Sequence, residues 1–317
     1  MISLRVRQCQ LHLIGRIAEA TCACHLVANR LGVMSLTLQQ HTNHNGWPKA
    51  GEMIEMSGTH PLQASDRALL NAIYQFAHDS GRMEDPTAEW EIPLAQLRQG
   101  MHESNDRIYE SLQRLKRVDV TLFYYDQRNG EERIMLTGLL DFVDISRKEF
   151  ARRATLRFGL PRKLVPMLAQ SGRWGRIKAE TVCAMSSKYA IALYEQIQLR
   201  EHLERCVETI PIDRFRDIMG VAPGLYENGT NFQKKVLEPA LLEVNALSDM
   251  SVAIEVNRRH PRAPIEAVTM TWWRKDGDEF REAIQERSKS KVGRLTRLRE
   301  REAGKNKSPH QPLLMLT

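Results

Sequence analysis

Asn228-Gly-Thr-Asn-Phe-Gln-Lys-Lys-Val-Leu-Glu-Pro-Ala-Leu-Leu-Glu-Val-Asn-Ala-Leu-Ser-Asp-Met250 is the stretch whose reading decides the fold of this 317-residue chain. Capped by Asn228 or Thr230, it reads as a helix with Phe232, Val236, Ala240 and Val244 at four-residue steps on one side. Asn231, Lys234, Lys235 and Glu238 fall on another. One face asks for a core and the other for a polar partner. Pro239 removes a backbone donor in mid-helix and crowds the Lys235 carbonyl, which predicts a continuous but kinked helix, with two short helices as the competing outcome.

The flanks give that polar face its meaning. Upstream, Ile210 to Gly220 reads as a short amphipathic helix ended by glycine, and Val221 to Asn228 as a turn. Downstream, Val252, Ile254 and Val256 alternate at strand period. Pro261 and Pro264 bracket a basic loop holding Arg258, Arg259 and Arg262, and a second strand runs from Ile265 through Thr271 to Trp273. Helix, turn, helix and hairpin with a basic tip is the order of a winged helix. The chemistry suits DNA: a major groove about 12 Å wide admits one helix whose Asn and Lys side chains reach base edges, while arginines at a loop tip meet phosphates or the minor groove.

The block Asn231 to Asn245, followed by Ser248-Asp249, resembles the signature of the plasmid replication initiators built from two winged-helix domains, the family that binds origin iterons. The likeness extends back to Ser186-Ser-Lys-Tyr-Ala-Ile-Ala-Leu-Tyr194 and, more faintly, to Asn105-Asp-Arg-Ile-Tyr-Glu-Ser-Leu112; it covers roughly residues 50 to 275. It implies a protein whose monomers bind directly repeated origin sites and help open adjacent duplex with host replication proteins. Dimers in equilibrium with those monomers would repress the protein's own gene. A winged-helix transcriptional regulator without a replication role shares nearly every feature, and only the 231 to 245 block speaks against it.

Composition narrows the field. No apolar run approaches 18 residues, so a membrane protein is excluded from the expectation, and five scattered cysteines suit a reducing bacterial cytoplasm, at the nucleoid or a plasmid. The net charge of +7 points to a polyanion. Its distribution says more than its sum. Residues 52 to 145 hold 9 Lys and Arg against 17 Asp and Glu, 146 to 172 hold 7 against 1, and 173 to 274 hold 14 against 13. Local placement, not domain charge, must therefore identify a DNA reader.

The fold class expected is α+β, tandem winged-helix domains, mainly helical with small antiparallel β-hairpin wings. Residues 1–48 form a poorly ordered extension in which Cys22-Ala-Cys24-His25 lacks a second ligand pair for zinc. Residues 49–145 make the first domain. A helix capped by Ser65 or Asp66 runs through Ser80, a strand covers Glu89 to Ile92, a short helix Pro93 to Gln99 and a longer one Ser104 to Arg117. A hairpin follows from Val118 to Asp126 and Arg133 to Val143 around Asn129-Gly130. On the longer helix Asn105, Arg107, Ser111 and Arg114 are read as exposed, available for auxiliary phosphate contacts. The resemblance implies that this domain mainly dimerises.

Residues 146–172 form a basic connector with interleaved apolar residues, either lying along a DNA backbone or solvating a seam. Residues 173–275 form the second domain and main reader, opened by a short strand or turn from Trp174 to Glu180 and followed by a helix from Ser186 to Leu203, whose Lys188 follows a serine cap where amides can also take a phosphate. From 276 to 317 a basic charged tail reads as a solvated helix or disordered segment. Its end, Gln311 to Leu316, faintly resembles a sliding-clamp peptide without the aromatic residue.

The expected DNA-contacting set is Thr230, Asn231, Lys234, Lys235, Arg258, Arg259, Arg262 and Lys188, with Asn105, Arg107 and Arg114 in the first domain. No Gly-x-x-x-x-Gly-Lys-Ser/Thr loop is present, and His41-Thr-Asn-His44 has the wrong spacing for a nicking metal site. The chain reads as a binder of double-stranded DNA, not an enzyme, with no cofactor and no metal.

Overall fold

A strand, β1 (Trp47–Ala50), and a single helical turn, α1 (Gly51–Ile54), lead into two successive runs of the same elements. The first run is α2 (Ala64–Asp79), β2 (Glu89–Pro93), α3 (Leu94–Arg98), α4 (Asn105–Arg117), and the hairpin β3 (Asp119–Tyr125) with β4 (Glu132–Gly138). Between the runs come β5 (Phe142–Ile145), β6 (Thr155–Gly159), α5 (Leu164–Ala169), β7 (Trp174–Ile177) and α6 (Ala179–Ala184). The second run is α7 (Lys188–Arg200), β8 (Val207–Pro211), α8 (Ile212–Met219), then Gly229–Phe232, Gln233–Leu237 and Glu238–Leu247 joined without a break as α9, and the hairpin β9 (Met250–Asn257) with β10 (Ala267–Arg274). Two further helices follow, α10 (Gly277–Ser288) and α11 (Arg294–Lys305). This computed structural model describes residues 35–98, 104–126, 129–146 and 154–305. The N-terminal cysteines, Arg147, Lys148, Arg152 and Arg153 of the connector, and the clamp-like peptide lie outside them. The elements from β1 onward belong to one compact unit that begins at Leu36.

The two runs close their sheets differently. In the second, β10 lies between β8 and β9, with Val268 opposite Val256 and Thr269 opposite Thr209, so the wing and the strand between the helices share one antiparallel sheet. In the first, β3 and β4 stand alone as a pair, and β2 instead joins β6 and β5, with Trp90 stacked on Phe158 at 5.6 Å. The strand expected from Arg133 to Val143 therefore breaks at Leu139 and Leu140, whose side chains are buried in the core. The expected basic connector supplies the central strand of that sheet. Its Leu156, Phe158, Leu160 and Leu164 are all buried.

At the centre lies α7, buried on nearly every side, its polar residues Glu195, Gln196, Gln198 and Arg200 included. β7 passes so close that a Cβ on Gly175 would meet the Leu199 backbone nitrogen at 2.7 Å, which reserves the position for glycine. The polar residues of α7 are satisfied across the fold. Gln196 donates to the Ile54 carbonyl at 3.0 Å, and Arg200 pairs with Glu55 at 2.8 Å and Glu208 at 2.5 Å.

Burial raises the proton affinity of Glu55, but Arg173 and Arg200 outweigh it and hold the carboxyl at about 2, below its ordinary 4.5. A depressed folded-state value stabilises the fold above the unfolded value, and that contribution disappears as pH falls from 4.5 toward 2. Glu55→Gln is thus expected to cost about 2–3 kcal/mol at neutral pH and to flatten the acid limb of a denaturant-unfolding series in that window.

The tail departs most from expectation. α10 and α11 are not a solvated appendage: Ala283 and Leu298 are buried, and Arg294 is 1% exposed, donating to the carbonyls of Ala184, Glu286 and Lys289. An arginine whose two Nη atoms donate to three carbonyls acts as a dock, and nothing in a sparse apolar pattern announces that.

Candidate nucleic-acid interface

Asn228 starts α9: its Oδ1 accepts from the amides of Thr230 at 2.9 Å and Asn231 at 3.3 Å. The preceding turn carries Tyr226 at φ 57, a left-handed conformation unusual for a bulky residue. Arg216 of α8 holds it there, donating to the carbonyls of Leu225 and Tyr226 while its guanidinium lies 5.2 Å over the Phe232 ring. Phe215 meets the same ring edge-on at 6.4 Å. The turn between the two helices is therefore fixed by one cation and one aromatic pair.

Along α9 the four-residue steps emerge as read: Phe232 is 1% exposed, and Val236, Ala240 and Val244 are 0%. Thr230, Asn231, Lys234 and Lys235 are exposed. Pro239 is accommodated by a π-turn over Gln233–Leu237, in which the Glu238 amide donates to the Gln233 carbonyl. The wider turn relieves the crowding of the proline ring, and the helix runs on unbroken.

The rest of the 231 to 249 block anchors that helix. Asn245 clamps β9 through both Val252 backbone groups at 3.0 and 2.8 Å. Glu243, wholly buried, accepts from the amides of Ser186 and Ser187 and from the Ser186 hydroxyl. Asp249 pairs with Lys178 at 2.9 Å. The Ser186-Ser187 stretch thus serves as a socket for Glu243. This bears on Lys188: the amides before it are occupied by a carboxylate, and its Nζ donates to the His60 carbonyl at 2.7 Å, so the start of α7 offers no seat for a phosphate. Burial pushes the Lys188 ammonium below its ordinary range.

The wing arginines take three different positions. Arg258 is half-buried at the base of the loop; its Nη1 donates to the Ala263 carbonyl at 2.8 Å and its Nη2 lies 2.5 Å from where a Cβ on Gly229 would stand. It therefore ties wing to helix start and is not at the tip. Arg259 is exposed and paired with Glu266 at 2.5 Å, and Arg262 is exposed at the tip.

In the first run, Ser104 caps α4 by accepting from the Arg107 amide at 3.3 Å. Arg107 is exposed and Asn105 half-buried. Ser111 and Arg114, expected on the open face, are turned inward. Ser111 is 2% exposed, and Arg114 makes a two-pronged contact with the fully buried Asp66 at 2.8 and 2.9 Å. A buried carboxylate at the start of α2 claims the guanidinium more strongly than solvent does. Sequence reading also missed Arg299 of α11, whose Nε donates to Glu238 of α9 at 2.6 Å; a tail read as solvated gave no signal for it.

Among the described residues no group of three His, Cys, Asp or Glu side chains could hold a metal, and no helix is long and apolar enough to cross a membrane. Two winged-helix units, each with a capped third helix and a hairpin wing, define the class. The profile described as Initiator Replication protein, WH1 matches residues 49–198, and that described as Initiator Rep protein, WH2 matches residues 211–272. The chain belongs to the initiator Rep protein family. The first profile extends through most of α7, beyond the domain boundary near residue 173 expected from the sequence. No curated protein matches the chain. Among solved structures, the Pi initiator protein in complex with iteron DNA is similar at a TM-score of 0.53 and 14% identity, over 72% of this chain and 97% of that one. Domains 2 and 3 of RctB give a TM-score of 0.40 at 9% identity, over 66% and 82%.

Proposed function

We propose that this protein initiates plasmid replication by binding directly repeated origin sites, with α9 in the major groove and the β9–β10 wing on the flanking backbone. The observation that carries the reading is the division of α9. One face is sealed in the core while Thr230, Asn231, Lys234 and Lys235 stand exposed, as do Arg259 and Arg262 on the wing. A solved relative of the same fold, Pi, is described in complex with iteron DNA, which supports that target for this chain. A nuclease footprint on the DNA flanking its own gene tests the proposal. Direct repeats protected about every two helical turns are expected; a single protected palindrome would make the protein a promoter-bound regulator instead.

Dimerisation and autorepression belong to the same proposal. The β3–β4 hairpin carries Phe123, Tyr125, Ile134 and Leu136 exposed, Leu136 by 77%, with Phe123 opposite Ile134. Such an apolar sheet face suits a second copy of the chain. Leu136→Asp with Ile134→Glu is expected to shift sedimentation toward the monomer and to weaken repression of the gene's promoter while leaving the melting temperature of the monomer unchanged. An unaltered dimer would move the interface elsewhere. Opening of the origin with host replication proteins, in the cytoplasm, completes the reading. Arg107 and Asn105 on α4 remain proposed auxiliary backbone contacts.

A further inference from the structure

The WH2 profile ends at residue 272, so α10 and α11 stand outside the matched modules. They are nonetheless built onto the reading helix. Lys275, at the start of this segment, donates to the carbonyls of Asn245 and Ser248 at 2.5 and 2.7 Å, and Arg294 docks α11 onto the Ala184 carbonyl. This places Arg299 against Glu238 at 2.6 Å.

Glu238 lies four residues after Lys234 and three after Lys235, the spacings at which oppositely charged side chains pair on a helix. Left to itself it would draw either lysine into a local pair and set a negative charge on the rim that faces the phosphates. Neither happens here. Among the described residues the carboxylate is engaged by Arg299, and neither lysine has an ion-pair partner. Arg299 reaches Glu238 through Nε and its side chain is half-exposed, and the Nη donors of a guanidinium are the groups that pair with phosphate.

We propose that the α10–α11 helix pair is an added part of the DNA-binding surface, in which Arg299 neutralises Glu238, keeps Lys234 and Lys235 available, and meets a backbone phosphate beside the groove that α9 enters. This rests on the DNA reading above, so the test separates the two. Binding of the full chain to a fluorescent 22-bp duplex carrying one footprinted repeat is measured by anisotropy across a salt series. Arg299→Ala is expected to weaken binding about tenfold and to lower the slope of log affinity on log salt by about one. Adding Glu238→Gln to Arg299→Ala is expected to restore part of the affinity but not the slope, because the repulsion is removed and the phosphate contact is not regained. An Arg299→Ala protein that binds within twofold of wild type, while a Lys234→Ala, Lys235→Ala protein loses affinity, would overturn the role of Arg299 and leave the α9 reading standing. Equal indifference of both proteins would overturn the α9 reading itself. A fall in melting temperature with an unchanged salt slope would make Arg299 a docking residue only and also defeat the proposal.

Discussion

Glu195→Ala is expected to destabilise the protein by about 3–5 kcal/mol in denaturant unfolding, enough to threaten folding at growth temperature. Glu195, on α7, is 1% exposed and faces two buried cations, Lys49 of β1 at 2.6 Å and Arg67 of α2 at 3.8 Å. Asn71 adds a hydrogen bond at 2.8 Å. Burial alone pulls the Lys49 ammonium below its ordinary range, and Glu195 opposes that pull. Without the carboxylate, Lys49 and Arg67 would sit desolvated with no counter-charge, and breaking one side of such a pair costs more than the pair contributes. Exchanging Lys49 and Glu195 together for Met and Leu is expected to recover only part of the loss, because Arg67 still lacks its counter-charge. A single-variant cost below about 1 kcal/mol would show that the site reorganises or admits water, contrary to this account.

Removing the two lysine head groups of α9 is expected to have the largest effect on binding. Lys234→Ala with Lys235→Ala should weaken affinity for a repeat-bearing duplex by about two orders of magnitude at fixed salt and reduce the salt slope by about two. The melting temperature should not move, since both side chains are exposed and take part in no ion pair among the described residues. Asn231→Ala is expected to act differently, relaxing discrimination at one base position through loss of a bidentate contact of the kind asparagine makes with adenine. Unchanged affinity of the double variant would remove α9 from the groove.

The second winged helix was legible because its signals are local. A capping Asn228, apolar residues in phase, Gly220 in the left-handed region at φ 68 and an alternating hairpin each act within a few residues of where they are read. The places that eluded reading depend on distant partners. Arg114 looks like any exposed helix arginine until Asp66, 48 positions away, is found beneath it. Lys188 follows a proper serine cap, but the amides of Ser186 and Ser187 before it are filled by the carboxylate of Glu243 on another helix. The strand status of residues 155–159 required knowing that β2 lacked a neighbour. Arg258 sits at a loop edge in sequence and against Gly229 in space.

The π-turn before Pro239 also settles a problem of phase. In a regular helix each residue advances about 100°, so residues four apart drift about 40° per step and about 120° between Phe232 and Val244. Yet both ends of that ladder are buried to 1% or less. The wide turn absorbs the surplus rotation and works as a vernier between the half of α9 that exposes Asn231, Lys234 and Lys235 and the half that is clamped to β9. It follows that the length of the Gln233–Leu237 segment is constrained independently of which residues fill it. A one-residue deletion there would swing the exposed lysines about a quarter-turn or more around the axis while every buried contact beyond Pro239 stayed in place.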